Sequence, residues 1–386
     1  MGKRLYFDWA STAIPVLFDA CISEEERGVF GNPSSIHEEG RRALKSLENS
    51  RSHCAEVLKT GAEKLCFTSG GTESNAIMLH SLLLNRGKGR LLYSPVEHPS
   101  VRENCIVLEK LGLPVSLIGV EKDGRISEAS LSRALEKNPD TRFAAIMGVN
   151  NETGALMDLA ALVSLIRKRE EITGLPIHIH ADLVQALGKV NLDISKWDLD
   201  SAAFSAHKLG GPRGIGLLYI KKPVKPLNMG GGQERNMRPG TENTPGAAAF
   251  AKVLERYAKD ETVWEEEAKA EERMAYLIGK LKGIKRCTLI PEDREERDKR
   301  FSPWILQAAF RDVPGQVMVR ALDDSGIAVS TGSACSSNSP ERPVLEAMGI
   351  DENVRLEGIR FSQGWTTEKD DMDVLVAAIE KVLSFL

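Results

Sequence analysis

Two side chains set the first chemical question. Lys208 stands in Ser205-Ala-His-Lys-Leu-Gly-Gly, after a short apolar run and before a glycine-rich turn. An amine at the mouth of a sheet, partly desolvated, is suited to forming a Schiff base with an aldehyde. By itself the segment fits a solvated loop lysine equally well. Asp182 closes the alternating run Ile177-His-Ile-His-Ala-Asp, one strand before Lys208. By itself it reads as a cap for the next helix. Together the two match what pyridoxal phosphate requires. The acid keeps the pyridine nitrogen protonated so that the ring is an electron sink, and the lysine holds the aldehyde.

Further residues could complete such a site. Gly70-Gly71-Thr72 lies between a strand and a helix, where free backbone N–H groups and the helix dipole can cradle a phosphate. The chain lacks G-x-x-x-x-G-K-[ST] and a G-x-G-x-x-G opening a first βαβ unit, which counts against a Walker loop and a dinucleotide fold. His98, after a strand in Ser94-Pro-Val-Glu-His-Pro, could stack on a flat ring and move protons, or be a plain loop histidine. Asn150-Asn151-Glu152-Thr153-Gly154 reads as a turn, or as an amide placed on a phenolic oxygen. Cys335 lies in Ser330-Thr-Gly-Ser-Ala-Cys-Ser-Ser-Asn-Ser among small residues, unlike the apolar surroundings of Cys66 and Cys105, and reads as an accessible nucleophile. Arg360 sits inside the short apolar strand Gly358-Ile-Arg-Phe-Ser. Its fork matches the carboxylate of an amino acid.

The elements that must position these residues alternate in type. Strands are expected at 64–68, 90–94, 115–119, 142–149, 177–181, 201–205 and 214–220. Helices are expected from the Ser35-Ile-His-Glu38 spacing to about Lys59, at 75–84, 127–138 and 158–173, and at the C-terminus from Asp373. Such alternation argues for an α/β fold with a mostly parallel sheet. A single long charged helix from Ala247 to about Lys282 reads as a connector, and Pro291–Arg300 as a solvated charge run. The chain has 386 residues, a formal net charge of -4 and 27% charged residues, an ordinary globular balance that makes nucleic acid a poor partner. Six scattered cysteines with no C-x-x-C pair argue against a zinc ribbon and fit a reducing compartment. The N-terminus shows no apolar h-region and the chain no membrane-length apolar run, so a cytoplasmic location is expected.

Taken in order along the chain, these segments resemble the cysteine desulfurases of the NifS/IscS type, within the class V, fold type I pyridoxal phosphate enzymes. The resemblance is carried by Tyr6-Phe-Asp-Trp-Ala-Ser-Thr, Phe30-Gly-Asn-Pro-Ser-Ser-Ile-His, Phe67-Thr-Ser-Gly-Gly-Thr-Glu-Ser and Val149-Asn-Asn-Glu-Thr-Gly. It continues through His180-Ala-Asp, Ser205-Ala-His-Lys, Gly230-Gly-Gly-Gln-Glu-Arg, Arg238-Pro-Gly-Thr-Glu-Asn, Ser333-Ala-Cys and Ile359-Arg-Phe-Ser. Each is weak alone; their fixed order is specific. Ser336 to Gly349 resembles the long loop of the IscS/NifS branch.

The resemblance implies a large cofactor-binding α/β domain over 15–250, with a mostly parallel central sheet flanked by helices. A smaller C-terminal α/β domain over 251–386, joined by 1–14, would carry the cysteine loop. Lys208 would hold the cofactor aldehyde, Asp182 the pyridine nitrogen, and His98 would stack on the ring and act in proton transfer. Asn151 and Gln185 would serve the ring-oxygen side, with Asn151 also near substrate. Gly71, Thr72, Ser205 and His207 would hold the phosphate, and Thr241 would reach the phosphate of the partner in a homodimer. Arg360 would bind the carboxylate of L-cysteine. Lys208, once freed, would remove the α-proton, and Cys335 would attack sulfur, leaving alanine and a persulfide for an acceptor or scaffold protein of iron–sulfur assembly or thiolation. No metal site is implied, though Cys335 stays open as a transient iron–sulfur ligand.

Two departures stand out. The family tends to show Asn-Ala-Ala-Thr-Thr where this chain has Trp9-Ala-Ser-Thr-Ala13 followed by Ile14 and Pro15, and the stretch from Pro15 to Phe30 is a few residues short. Both put substrate identity in question. A class V aminotransferase or β-lyase, a selenocysteine lyase and a degenerate cofactor-binding scaffold are the alternatives.

Overall fold

Apolar runs too short for helices, bounded by turn residues, pair into two sheets and a two-stranded ladder. A computed structural model of the chain describes residues 4–15, 28–85, 89–332 and 341–385. The large sheet joins β2 (Leu65–Thr68), β3 (Arg90–Tyr93), β4 (Val115–Leu117), β5 (Thr141–Met147), β6 (His178–Asp182), β7 (Ser201–Ser205) and β8 (Gly216–Ile220) in the order β2-β8-β7-β6-β5-β3-β4. Only β8 runs antiparallel to its neighbours. The sheet is therefore mostly parallel, as expected. Its central strands are buried along their length because helices cover both faces.

One face packs against α1 (Glu38–Val57), α4 (Glu128–Lys137), α5 (Leu159–Thr173) and α6 (Thr244–Tyr257), through Leu47, Leu131, Leu162 and Phe250. The other packs against α2 (Gly71–Ser81) and α3 (Pro99–Lys110), through Met78 and Cys105. The second sheet is the antiparallel trio β9 (Cys287–Ile290), β10 (Ile305–Phe310) and β12 (Gly358–Ser362), with its own core of Leu306, Phe310, Ile359 and Phe361. The N-terminal strand β1 (Leu5–Tyr6) joins this second region, pairing in parallel with β11 (Ile327–Ala328).

Four expectations need correction. The first helix starts at Glu38 with His37 as its cap, its side chain accepting from the Gly40 N–H; Ser35 lies before it, its own N–H closing a turn onto the Asn32 carbonyl. The second starts at Gly71, earlier than expected: Gly70, at φ +155°, turns the chain straight from β2 into the helix. The expected single connector helix is two, α6 and α7 (Asp260–Lys282), with Lys259 extended between them. The break lets each serve a different core: Phe250 and Leu254 face the large sheet, Leu277 and Leu281 the small one. Finally, Arg294 in the charge run is buried, not solvated. It donates to the carbonyls of Thr153, Ser302 and Ile305, and its guanidinium lies 4.5 Å from the centre of the Phe301 ring. Among the described residues no helix is long and apolar enough to cross a membrane.

Candidate active site

The parallel strands deliver their polar residues to one edge of the large sheet. β6 ends at Asp182, and β7 ends at Ser205 and runs into the 3₁₀ turn Ala206–Leu209 carrying His207 and Lys208. β2 leads to Gly70 and Gly71, the loop after β3 to His98 as the cap of α3, and the loop after β5 to Asn151. This is the carboxyl edge, where α/β sheets take ligands. Arg360 arrives from β12 of the other sheet.

These residues meet. A cavity of about 230 Å³ is lined by Lys208, Asp182, His98, Asn151, Gln185 and Arg360, and also by Gly71, Thr72, Ser205 and His207. Ala10 and Ser11, from the segment that departs from the family pattern, line it too. Lys208 Nζ donates to the carbonyls of Ala10 (2.5 Å) and Ser11 (2.7 Å). Asp182 is buried; Oδ1 accepts from the Val184 N–H at 3.0 Å and Oδ2 from Asn75 Nδ2 at 2.8 Å. No helix follows Asp182: its Oδ1 closes the turn onto Val184 instead of capping a helix. His98 Nδ1 sits 2.8 Å from Ser100 Oγ and accepts from the Ser100 N–H at 3.1 Å. Burial, helped by the cations of Lys208 and Arg102 and opposed by Asp182, lowers the His98 pKa and holds the ring neutral.

The opposite side of the cavity is arranged around Arg360, which is 2% exposed. Nη2 donates to Asp8 Oδ1 (2.8 Å) and Ser11 Oγ (2.6 Å), and Nη1 to the carbonyls of Asn151 (2.8 Å) and Gly332 (2.6 Å). Among the described residues its Nε has no partner, and neither has the buried side-chain oxygen of Asn151. Gln185 is occupied: Nε2 donates to the Ala10 carbonyl (2.8 Å) and Oε1 accepts from Lys189 Nζ (3.0 Å). His207 Nδ1 lies 3.1 Å from Thr12 Oγ1, and burial with the nearby Lys208 and Arg213 pushes its pKa down to about 3.

The family now follows from comparison. The class-V aminotransferase profile matches residues 5–375. The chain belongs to that family. A NifS/IcsS protein homolog from Lactobacillus delbrueckii subsp. bulgaricus is 36% identical over 98% of this chain and 97% of its own length. The protein named cysteine desulfurase IscS of Dictyoglomus turgidum is 33% identical over 100% of this chain and 96% of its own. A solved NifS-like protein superposes with a TM-score of 0.88 at 30% identity, covering 100% of both chains. Within the class-V family the chain lies in the NifS/IscS-type cysteine desulfurase branch.

One site residue expected for this class-V chain, Thr241, does not line the cavity. Thr241 is exposed, in the loop that leads to α6. The base of that loop is pinned by Glu234, whose buried carboxylate takes two donors from Arg51 (2.6 and 2.9 Å) and the Phe67 N–H (2.8 Å). Cys335 lies outside the described residues, although Gly332 lines the cavity. The four described cysteines, Cys54, Cys66, Cys105 and Cys287, all have thiols pushed up by burial, Cys54 and Cys287 to about 12. None of these four is a thiolate near neutral pH.

Sequence reasoning missed the supports of the site. Asp8 and Ser11 hold Arg360, Asn75 and Ser100 hold Asp182 and His98, and Lys189 holds Gln185. Lys189 is a second buried amine, its pKa pushed down to about 7 by burial and by the charges of Lys208 and Arg360. Asn75 gave no distinct signal, since it follows the polar run Thr72-Glu73-Ser74 at the start of its helix.

Proposed function

We propose that the chain is a pyridoxal phosphate-dependent cysteine desulfurase that converts L-cysteine to L-alanine and leaves the sulfur as a persulfide on Cys335. The observation that carries this reading is the convergence of Lys208, Asp182, His98 and Arg360 on one cavity from two different sheets.

The residues present fit the cofactor. A buried acid, an amine and a histidine stand around the cavity. The amino end of α2 supplies free N–H groups beside Thr72, with Ser205 close by. A Cβ on Gly71 would come within 2.5 Å of Val184 Cγ2, so the backbone there stays bare. The unpartnered Asn151 amide oxygen marks a polar group left open on the cavity. Lys208 would tether the group, Asp182 would face its ring nitrogen and His98 its ring. Thr72, Ser205 and His207 would take the phosphate, joined by Thr241 of the neighbouring subunit in a homodimer. Of the two amides on the ring-oxygen side, Asn151 has the free group and Gln185 is already bonded.

Bound pyridoxal phosphate supplies an electron sink for the pair released at the substrate α-carbon. Arg360 binds the substrate carboxylate, and Lys208 Nζ takes and returns the α-proton within the cavity. The Cys335 thiolate then forms an S–S bond to the substrate sulfur. The C–S bond breaks, its electron pair stays on carbon and is protonated, and the balance is cysteine plus thiol giving alanine plus persulfide. The region around the large sheet would act as the cofactor domain and the region around the small sheet as the domain that brings Cys335. A sulfur-acceptor protein would take the persulfide.

The test is the purified protein loaded with pyridoxal phosphate and given L-cysteine, with alanine and protein persulfide measured. Alanine with a persulfide mapped to Cys335, and loss of both in Cys335→Ala while the visible cofactor band persists, is the expected result. Pyruvate in place of alanine, or sulfur release that survives Cys335→Ala, would replace this reading with a β-lyase.

A further inference from the structure

We propose that Asn75 is the positioning residue that sets where the hydrogens lie on Asp182 and His98, through three hydrogen bonds of fixed direction at the core of the large sheet. The inference rests on the desulfurase reading and deepens it, since it assigns proton states to the two groups that would flank the cofactor.

The argument begins with how few choices a buried amide has. Asn75 is fully buried in α2. Its nitrogen has two hydrogens and both are used, one on Asp182 Oδ2 and one on Ser100 Oγ, each at 2.8 Å. Its oxygen can only accept, and the atom 2.8 Å away is His180 Nε2. His180 therefore carries its hydrogen on Nε2. His180 is fully buried, and desolvation pushes its pKa down to about 3, so its Nδ1 is bare. The Ser201 hydroxyl, 2.8 Å from Nδ1, must then donate to it, and Ser201 Oγ in turn accepts from His178 Nε2 at 2.8 Å.

On the cavity side the same logic runs forward. Ser100 Oγ has accepted from Asn75, so its own hydrogen goes to His98 Nδ1. The Ser100 N–H points at that nitrogen as well. His98 Nδ1 is thus bare and the ring hydrogen sits on Nε2. Every bond from His178 to the cavity donates in one direction, and both ends, Asp182 and His98 Nδ1, are acceptors. An amide does not relay protons, so the chain fixes hydrogens in place rather than conducting them. Asp182 is kept as an acceptor, and His98 presents an Nε2–H donor.

The charged and titratable groups around His98 are Asp182 from β6, Lys208 and His207 from the turn after β7, and Arg102 on its own helix. A donor to the bare nitrogen favours the neutral ring, so removing it raises the His98 pKa.

The test uses the full chain loaded with pyridoxal phosphate, as native protein and as Ser100→Ala, Asn75→Ala and Asn75→Asp. It reads the pH at which the visible cofactor band titrates, the ring ¹⁵N shifts of His98 (assigned with His98→Gln) and the pH profile of alanine formation. In Ser100→Ala the His98 transition and the acid limb of the profile move up by about one pH unit, the worth of one neutral hydrogen bond, while the band's titration stays put. In Asn75→Ala both move. Asn75→Asp keeps the size but sets a second carboxylate against Asp182, and moves the band furthest. Native positions for the band and for His98 in both Asn75 variants would overturn the proposal, and if those variants fail to fold, an unmoved His98 transition in Ser100→Ala does so. Absence of alanine from the native protein would instead sink the desulfurase reading, with the His98 tautomer still readable.

Discussion

The two sides of the cavity are built on opposite principles. On the side of the large sheet, Asp182, Ser100, Asn75, His180 and the Nδ1 of His98 are joined in one hydrogen-bonded network, leaving the His98 Nε2–H to the cavity. Around Arg360, where the N-terminal segment, the loop after β5 and the small sheet meet, buried atoms are left without a partner among the described residues: Arg360 Nε, Asn151 Oδ1, Glu152 Oε2 and Gln307 Oε1. The exception on the first side is Glu97. Burial and then the negative charge of Asp182 push its pKa well above the carboxylate range, and its Oε2 has no partner. A completed network is rigid and suits a resident ligand that never leaves. An incomplete one, with a buried guanidinium lent to Asp8 and Ser11, suits a small molecule that arrives, displaces a partner and departs. On the proposed function, the side that would hold the cofactor is prepared and the side that would take the substrate is provisional.

The sharpest way to break that contrast is at Arg360. Arg360→Lys keeps the charge but loses the fork that reaches Asp8, Ser11 and two carbonyls at once. Charge-assisted bonds of this kind are worth about 1.5–3 kcal/mol, so KM for L-cysteine should rise about 10- to 100-fold. The affinity for pyridoxal phosphate, measured by titrating the visible band, should hardly change. An equal loss in both would mean that the two sides are one unit.

Asp8 sharpens the same point with a smaller effect in the other direction. Its carboxylate, partly exposed at 22%, would compete for the guanidinium that the proposed function assigns to the substrate. Asp8→Asn should lower KM for L-cysteine two- to five-fold, in line with about 0.2–1 kcal/mol for a partly exposed pair. The melting temperature should fall as well, because Arg360 loses its counter-ion. A raised KM would show instead that Asp8 orients Arg360 for the substrate rather than competing with it.

What could be read from the sequence divides along the same line. Lys208, Asp182, His98 and Asn151 stand at strand ends, where local pattern places them. The parallel sheet that gathers them follows from the alternation of short strands and helices. The supports were not legible because they come from far along the chain. Asn75 meets Asp182 across the width of the sheet, and Asp8 meets Arg360 from the opposite end of the sequence. Local pattern carries no such information. The same holds for Arg294, whose charged neighbours made it read as solvated. In the fold it reaches the Thr153 carbonyl and braces the turn that carries Asn151. The helix break at Lys259 was invisible for a related reason. No glycine or proline marks it, and it exists because two separate cores each claim one half.

A further effect does not touch turnover and concerns only the prepared side. His180 has its pKa pushed down to about 3 and His178 to about 4 by burial, while an unfolded histidine titrates near 6.5. Below pH 6.5 the unfolded chain therefore takes up protons that the folded network refuses. Stability contributed by these rings is complete above pH 6.5 and is lost progressively as the pH falls towards 3. For His180 the loss at pH 5 is about 2 kcal/mol. Glu97 works against it: a carboxyl that stays protonated in the fold costs stability as the pH rises above its unfolded value, so acidification to pH 5 relieves that cost. His178, His98 and His207 add to the slope in the same direction as His180, and these contributions are common to both proteins; His180→Gln isolates the His180 part, since glutamine can still donate to Asn75 Oδ1 but does not titrate. Urea unfolding of the two proteins at pH 7 and pH 5 should show the native chain losing about 2 kcal/mol more than the variant on acidification. Parallel slopes would mean that the folded network accepts a proton at His180, and the fixed direction of its hydrogen bonds would fall with it.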